Sequence, residues 1–141
     1  MGHVPMTIQT RLIDALKSVL KDRGLKVTLR ETHISWVLLA GDKAWKIKKA
    51  VNFGFLDFST LAKRKHACEE ELRLNRKFAP QIYLEVLPIC GTVDRPDFGD
   101  QTTAIEYAVS MLRFDESGLL SELAENHLLG KKQIDAAANA R

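Results

Sequence analysis

Cysteine is scarce in this chain, which holds only Cys68 and Cys90. One falls inside a predicted helix and the other at a predicted strand end, so the expectation is two buried free thiols in a reducing cytoplasm rather than a disulfide framework. Long apolar runs are missing too. Nothing approaches the roughly 20 residues that a membrane helix requires. The opening Met1-Gly2-His3-Val4-Pro5 lacks the basic-then-apolar layout of a signal peptide. The four histidines, His3, His33, His66 and His127, sit at no metal-ligand spacing, which argues against a structural zinc site. Charge of a single sign is also lacking. With 21 Lys and Arg against 18 Asp and Glu, the net charge of +3 falls short of that of a strong nucleic-acid binder.

What is present is ordinary for a globular chain: 45% apolar and 28% charged residues in 141 positions, enough for one domain with a real core. No repeat, linker or low-complexity tract interrupts it.

Hydrophobic periodicity sets the expected order of elements. Thr7 or Thr10 is the expected cap of a helix whose apolar positions Leu12, Ile13, Leu16, Val19 and Leu20 recur at three and four, with Gly24 as its stop. Period-two alternation predicts strands over residues 25–30, 34–40 and 43–49, the last two joined by Gly41-Asp42. A segment rich in Phe and Gly, residues 52–58, leads to a long helix capped by Ser59 or Asp57 and ending before Pro80. Its inward stripe is expected to be Ala67, Glu71, Leu74 and Phe78. Strands over 82–90 and 102–111 follow as a hairpin, then a connector and helices over 118–127 and 131–140. The expectation is an α+β fold with a five-stranded antiparallel sheet, one packed long helix, and leading and trailing helices.

Chemistry concentrates on Ala44-Trp45-Lys46. Alternation puts Ala44, Lys46 and Lys48 on one face of their strand, with Trp45 and Ile47 on the other. In kinase-like folds an Ala-x-Lys strand leaves room for a flat base, and the Lys reaches the α- and β-phosphates while a Glu from the next helix holds it. The helical period selects Glu71 as that partner, because Glu70 falls with the polar Lys63, His66 and Lys77. A carboxylate on an apolar stripe is costly unless paired. Lys48 and Lys49 compete for the phosphate role, but the residue two before Lys48 is Lys46 rather than a small one, and Lys49 points with the apolar face. The bland reading of Lys46 is a solvated strand residue, and that of Glu71 is a stripe-edge carboxylate with its head group in water.

Other features invite function and favour plainer readings. Asp97-Phe98-Gly99 spells the magnesium-binding tripeptide of protein kinases, yet no His-x-Asp precedes it, and Pro96 and Gly99 mark it as a hairpin turn. Lys63-Arg64-Lys65 with Arg73, Arg76 and Lys77 reads as the wet face of an amphipathic helix. Trp36 and Trp45 on neighbouring strands read as cross-strand core packing rather than a base-stacking platform.

The segments over residues 31–37 (Glu-Thr-His-Ile-Ser-Trp-Val), 44–49 (Ala-Trp-Lys-Ile-Lys-Lys), 53–61 (Phe-Gly-Phe-Leu-Asp-Phe-Ser-Thr-Leu) and 71–76 (Glu-Leu-Arg-Leu-Asn-Arg) resemble the amino-terminal part of bacterial aminoglycoside phosphotransferase-like proteins. Many of these carry a P-loop ATPase domain downstream. Residues 105–114 continue the resemblance as a last strand and hinge. The resemblance implies a leading helix (1–24), a kinase-like small lobe (25–114) and the start of a helical second lobe (115–141). It implies ATP beneath the first hairpin, with Lys46 on phosphate, Glu71 holding Lys46, Ala44 and Val37 sandwiching the base, Ser35 at the phosphate-covering turn, and backbone near Met111 to Arg113 meeting adenine. Where protein kinases place Gly-x-Gly-x-x-Gly-x-Val, this chain holds Arg30, Thr32 and Ser35 at the glycine positions when Val37 is the Val. Ligands for Mg2+ and the catalytic Asp are expected in a second lobe beyond these residues, and the P-loop signature is absent. The function implied is transfer of phosphate from ATP to a small-molecule hydroxyl in the intact protein, with no turnover by this stretch alone. The alternative is a non-catalytic module of the same fold that contacts a partner domain or nucleic acid. In either case an exposed interlobe face predicts self-association.

Overall fold

The computed structural model describes residues 6–99 and 103–113. Its elements run α1 (Met6–Asp22), β1 (Val27–Glu31), β2 (Ser35–Ala40), β3 (Lys43–Lys48), α2 (Leu61–Asn75), β4 (Tyr83–Gly91), β5 (Pro96–Phe98) and β6 (Ala104–Leu112). The fold is α+β, with an antiparallel six-stranded sheet in the order β1-β2-β3-β6-β4-β5. The connector expected over 112–117 starts later, since Leu112 ends β6; its part from residue 114, the helices over 118–127 and 131–140 and the second-lobe start at 115–141 lie outside the described residues.

The sheet therefore has six strands and not five. The addition is the stretch read as a turn: Pro96 to Phe98 pairs with the end of β4, Ile89 opposite Phe98 and Gly91 opposite Pro96. Proline lacks the N–H for a central strand, so an edge is where it fits. Phe98 is drawn in by the sheet, its ring stacked at 5.2 Å on Trp45. Asp97 consequently projects as an exposed edge residue. The tight connection is Thr92 to Arg95 instead, and it depends on Gly91 at φ 86°, where an added Cβ would lie 2.5 Å from the Arg95 carbonyl oxygen.

The two faces of the sheet carry separate cores. Leu12, Ile13, Leu16 and Leu20 of α1 pack against Trp36, Leu38, Trp45, Ile47, Ile89 and Ala108, so the two tryptophans serve as core, as the pattern predicts. Val37, Leu39, Ala44, Tyr83, Val109 and Met111 form the other face with Cys68 of α2. Alternation along β2 and β3 produces this division. Val19 is only half-buried. Thr7 and Thr10 lie within α1, which begins at Met6, so neither is its cap. At the other end Gly24, at φ 83°, closes α1 as expected, with Gly24 N–H donating to the Lys21 carbonyl.

Helix α2 departs further from expectation. Its cap is Thr60, which accepts from Lys63 N–H, while Asp57 caps the preceding turn through Ser59 N–H. Its buried stripe is Arg64, Ala67, Cys68, Glu71 and Asn75. Leu74 is half-buried, and Phe78 lies past the end of the helix and is 70% exposed. Three of the five stripe residues are polar, so the helix sits on the sheet through side-chain bonds more than through apolar knobs. Among the described residues no helix is long and apolar enough to cross a membrane.

Candidate functional site

Strand β3 presents Ala44, Lys46 and Lys48 to α2, and α2 answers with Glu71. Lys46 Nζ donates to Glu71 Oε2 at 2.8 Å, and Lys48 Nζ donates to Glu71 Oε1. All three side chains are fully buried. The pairing of Lys46 with Glu71 is present, and Lys48, the competitor for the phosphate role, bonds the same carboxylate. Burial alone raises the Glu71 pKa. The two ammonium groups outweigh it by charge and hydrogen bonding and bring the carboxyl down to about 2. A buried carboxylate held by two lysines is one side of an arrangement that is strongly destabilised when either side is removed.

The other residues named for a nucleotide gather on the same face. Val37 stands opposite Lys46 across β2 and β3, Ser35 opposite Lys48, and Ala44 opposite Met111 across β3 and β6. Val37, Ala44 and Met111 share one apolar cluster. Ser35 is buried, and its hydroxyl has no partner among the described residues. Tyr83 was missed by sequence reasoning. It adds a second such hydroxyl to this cluster, its pKa pushed up by burial and by the Glu71 charge. Nothing in the sequence marks Tyr83, because a tyrosine starting a strand is ordinary core material.

Two backbone regions differ from what a phosphate cradle and a hinge require. The β1-β2 connection is a tight turn in which Ile34 N–H and Ser35 N–H both donate to Thr32 Oγ1, so those amides are already engaged. Leu112 N–H donates to the Ile82 carbonyl and Arg113 N–H to the Asp42 carbonyl, each at 2.8 Å.

A second buried ion pair lies beside the first. Arg64 Nε donates to Glu106 Oε1 at 2.9 Å and Arg64 Nη1 to the Phe58 carbonyl at 2.9 Å, with both side chains essentially inaccessible. Arg64 is thus not on the wet face of α2 with Lys63 and Lys65. The signal was available: residues 64, 67, 68, 71 and 75 recur at three and four. Gln9 of α1 completes the group, donating to Glu106 Oε2 at 2.9 Å and to the Lys48 carbonyl at 3.0 Å, and accepting from Ala50 N–H at 2.8 Å.

A cleft of about 610 Å³ opens elsewhere, between the Phe-rich loop and the outer side of α2, lined by Phe55, Leu56, Phe58, Ala67 and Leu74 among others. Lys46 and Glu71 do not line it. Among the described residues no group of three or more His, Cys, Asp or Glu side chains is placed to hold a metal ion.

Three curated proteins resemble the chain. It is 47% identical over 112 residues, 79% of its length, to uncharacterized proteins of Mycobacterium tuberculosis strains H37Rv and CDC 1551 and of Mycobacterium bovis. The chain spans 21% of the length of these relatives. No family model matches the chain. No solved structure matches it.

Proposed function

We propose that this chain is the ATP-binding small lobe of a kinase-like phosphotransferase whose intact form transfers phosphate to a small-molecule hydroxyl. The observation that carries this reading is the Lys46–Glu71 pair between strand and following helix, with Ala44, Val37 and Met111 on the same face. Lys46 would take phosphate oxygens, and Glu71 fixes the direction of its ammonium group. Lys48 supplies a second positive charge two residues on, and the Ser35 hydroxyl is a further donor for an anion. The engaged amides of the β1-β2 turn leave phosphate recognition to these side chains. Likewise, adenine contacts would not use Leu112 or Arg113 N–H. Mg2+ would be held by the intact protein's second lobe, as the kinase-like resemblance implies. Phosphoryl transfer depends on positioning and electrostatics, so this stretch binds nucleotide without turning it over. A lobe of this kind would work against a helical second lobe of the intact protein, with a P-loop ATPase domain as a further partner in the chain, and the relatives, of which the match covers 21%, are long enough to hold both.

A second reading, a non-catalytic interaction module of the same fold, is favoured by one observation: Lys46, Lys48 and Glu71 are fully buried and already bonded to one another. Titration of the 141-residue protein with magnesium-ATP by calorimetry, beside Lys46→Ala, separates the two. Saturable binding that disappears in the variant supports the nucleotide lobe. Absence of binding to a folded protein at millimolar ATP supports the module.

A further inference from the structure

Glu71 reaches Lys46 only if α2 stands at the right height on the sheet, and its small contact residues, Ala67 and Cys68, do little to fix that height. Arg64 precedes Glu71 by seven residues, two helical turns or about 10 Å along the same face. Side-chain bonds hold the helix at three points: Glu71 on β3, Arg64 on Glu106 of β6, and Arg76 at its C-cap on the Tyr83 and Leu84 carbonyls of β4. The second point lies just past the last β3-β6 partner pair, Ile47 and Ala108. There Gln9 arrives from α1, which packs on the opposite face of the sheet, and bonds both Glu106 and the backbone of Lys48.

We infer that Gln9, Glu106 and Arg64 form a positioning device through which α1 sets the height of α2, and so decides whether Glu71 holds Lys46. This rests on the proposed nucleotide site for its functional meaning, but its geometry stands apart from it. The three residues contact no site ligand and are positioning residues. Gln9 makes three bonds with one amide, to a strand end, to the carboxylate that holds α2 and to the first residue after Lys49. Losing Gln9 leaves the Arg64–Glu106 pair in place but frees Glu106 on its other side, so α2 loosens without the chain unfolding.

Cys68 is a built-in reporter. It lies on α2 between Arg64 and Glu71, fully buried, with burial pushing its thiol up to about 12, so it reacts only when α2 lifts. Cys90, buried on β4, reports opening of the sheet. The test is the rate of thiol labelling at each cysteine in Gln9→Ala, in Glu106→Gln and in Leu16→Ala, a core change in α1 that leaves the network intact. For Gln9→Ala the expected result is a rise of about tenfold at Cys68, what loss of a buried hydrogen bond from a local opening equilibrium would give, with Cys90 unchanged. Leu16→Ala should show no such selectivity. Equal rises at both cysteines in Gln9→Ala, or no rise at Cys68, would overturn the inference. Should Glu106→Gln fail to fold, Gln9→Ala decides alone. Magnesium-ATP affinity is measured on the same proteins. If the parent binds no nucleotide, the proposed function fails while the labelling result still stands or falls by itself.

Discussion

Lys46 Nζ and Glu71 Oε2 lie 2.8 Å apart between β3 and α2, and neither side chain is accessible to water. Lys48 binds the other oxygen of the same carboxylate. One helix carboxylate thus bonds the ammonium groups at two alternate positions of one strand, and removing it takes that shared anion from two buried cations. Glu71→Ala should destabilise the protein by about 3–5 kcal/mol in urea unfolding. Lys48→Met should cost less, since Glu71 keeps Lys46 and the butyl-length stem is replaced by an apolar one.

Acid should act through the same carboxylate. Its folded pKa of about 2 lies below the ordinary 4.5, so its contribution is fully present above 4.5 and is lost as pH falls toward 2. Glu106 has the opposite sign: burial raises its pKa, against the pull of Arg64 and Gln9, so its ionisation opposes folding as pH rises past 4.5. Urea midpoints between pH 6 and pH 3 should therefore fall less steeply in Glu71→Gln than in the parent. An unchanged slope would show that Glu71 is not paired in solution.

The β4-β5 connection supplies a prediction independent of function. Gly91→Ala places a Cβ 2.5 Å from the Arg95 carbonyl at a positive φ and should cost roughly 1–3 kcal/mol. Gly24→Ala meets no atom within 4 Å and should cost only the backbone term of about 1 kcal/mol. Melting temperatures of the two variants, compared side by side, test whether β5 is a strand of the folded sheet.

Helix α2 starts at Thr60, whose hydroxyl satisfies the Lys63 amide. Thr60→Ala should lower stability by about 1 kcal/mol, and Ser59→Ala should change it less, as a hydrogen-exchange comparison of the first turn of α2 would register.

The elements were legible where period decided them. Alternation in β3 placed Ala44, Lys46 and Lys48 on one face, and the three-and-four pattern of α1 placed Leu12, Ile13, Leu16 and Leu20 in the core. The Lys46–Glu71 contact followed from the alternation of β3 and the helical period of α2, read with the Ala-x-Lys pattern. Reading failed where residue type outweighed period. Arg64 was assigned to solvent because arginine usually is, although its spacing matched Glu71, and Phe78 was assigned to the core because phenylalanine usually is. Strand β5 was illegible because proline and glycine signal a turn, while it is the pairing of residues 96–98 with the end of β4, 89–91, and the stacking of Phe98 on Trp45 that hold the segment in the sheet. Glu106 and Gln9 carried no signal, since their partners lie 42 and 97 residues apart in sequence.

The measurement that bears most directly on the central claim is magnesium-ATP binding by calorimetry to the parent protein, Lys46→Met and Lys48→Met. The account predicts saturable binding by the parent, loss in Lys46→Met and retention, weakened, in Lys48→Met. Failure of the folded parent to bind at millimolar ATP, or equal binding in all three proteins, would contradict it.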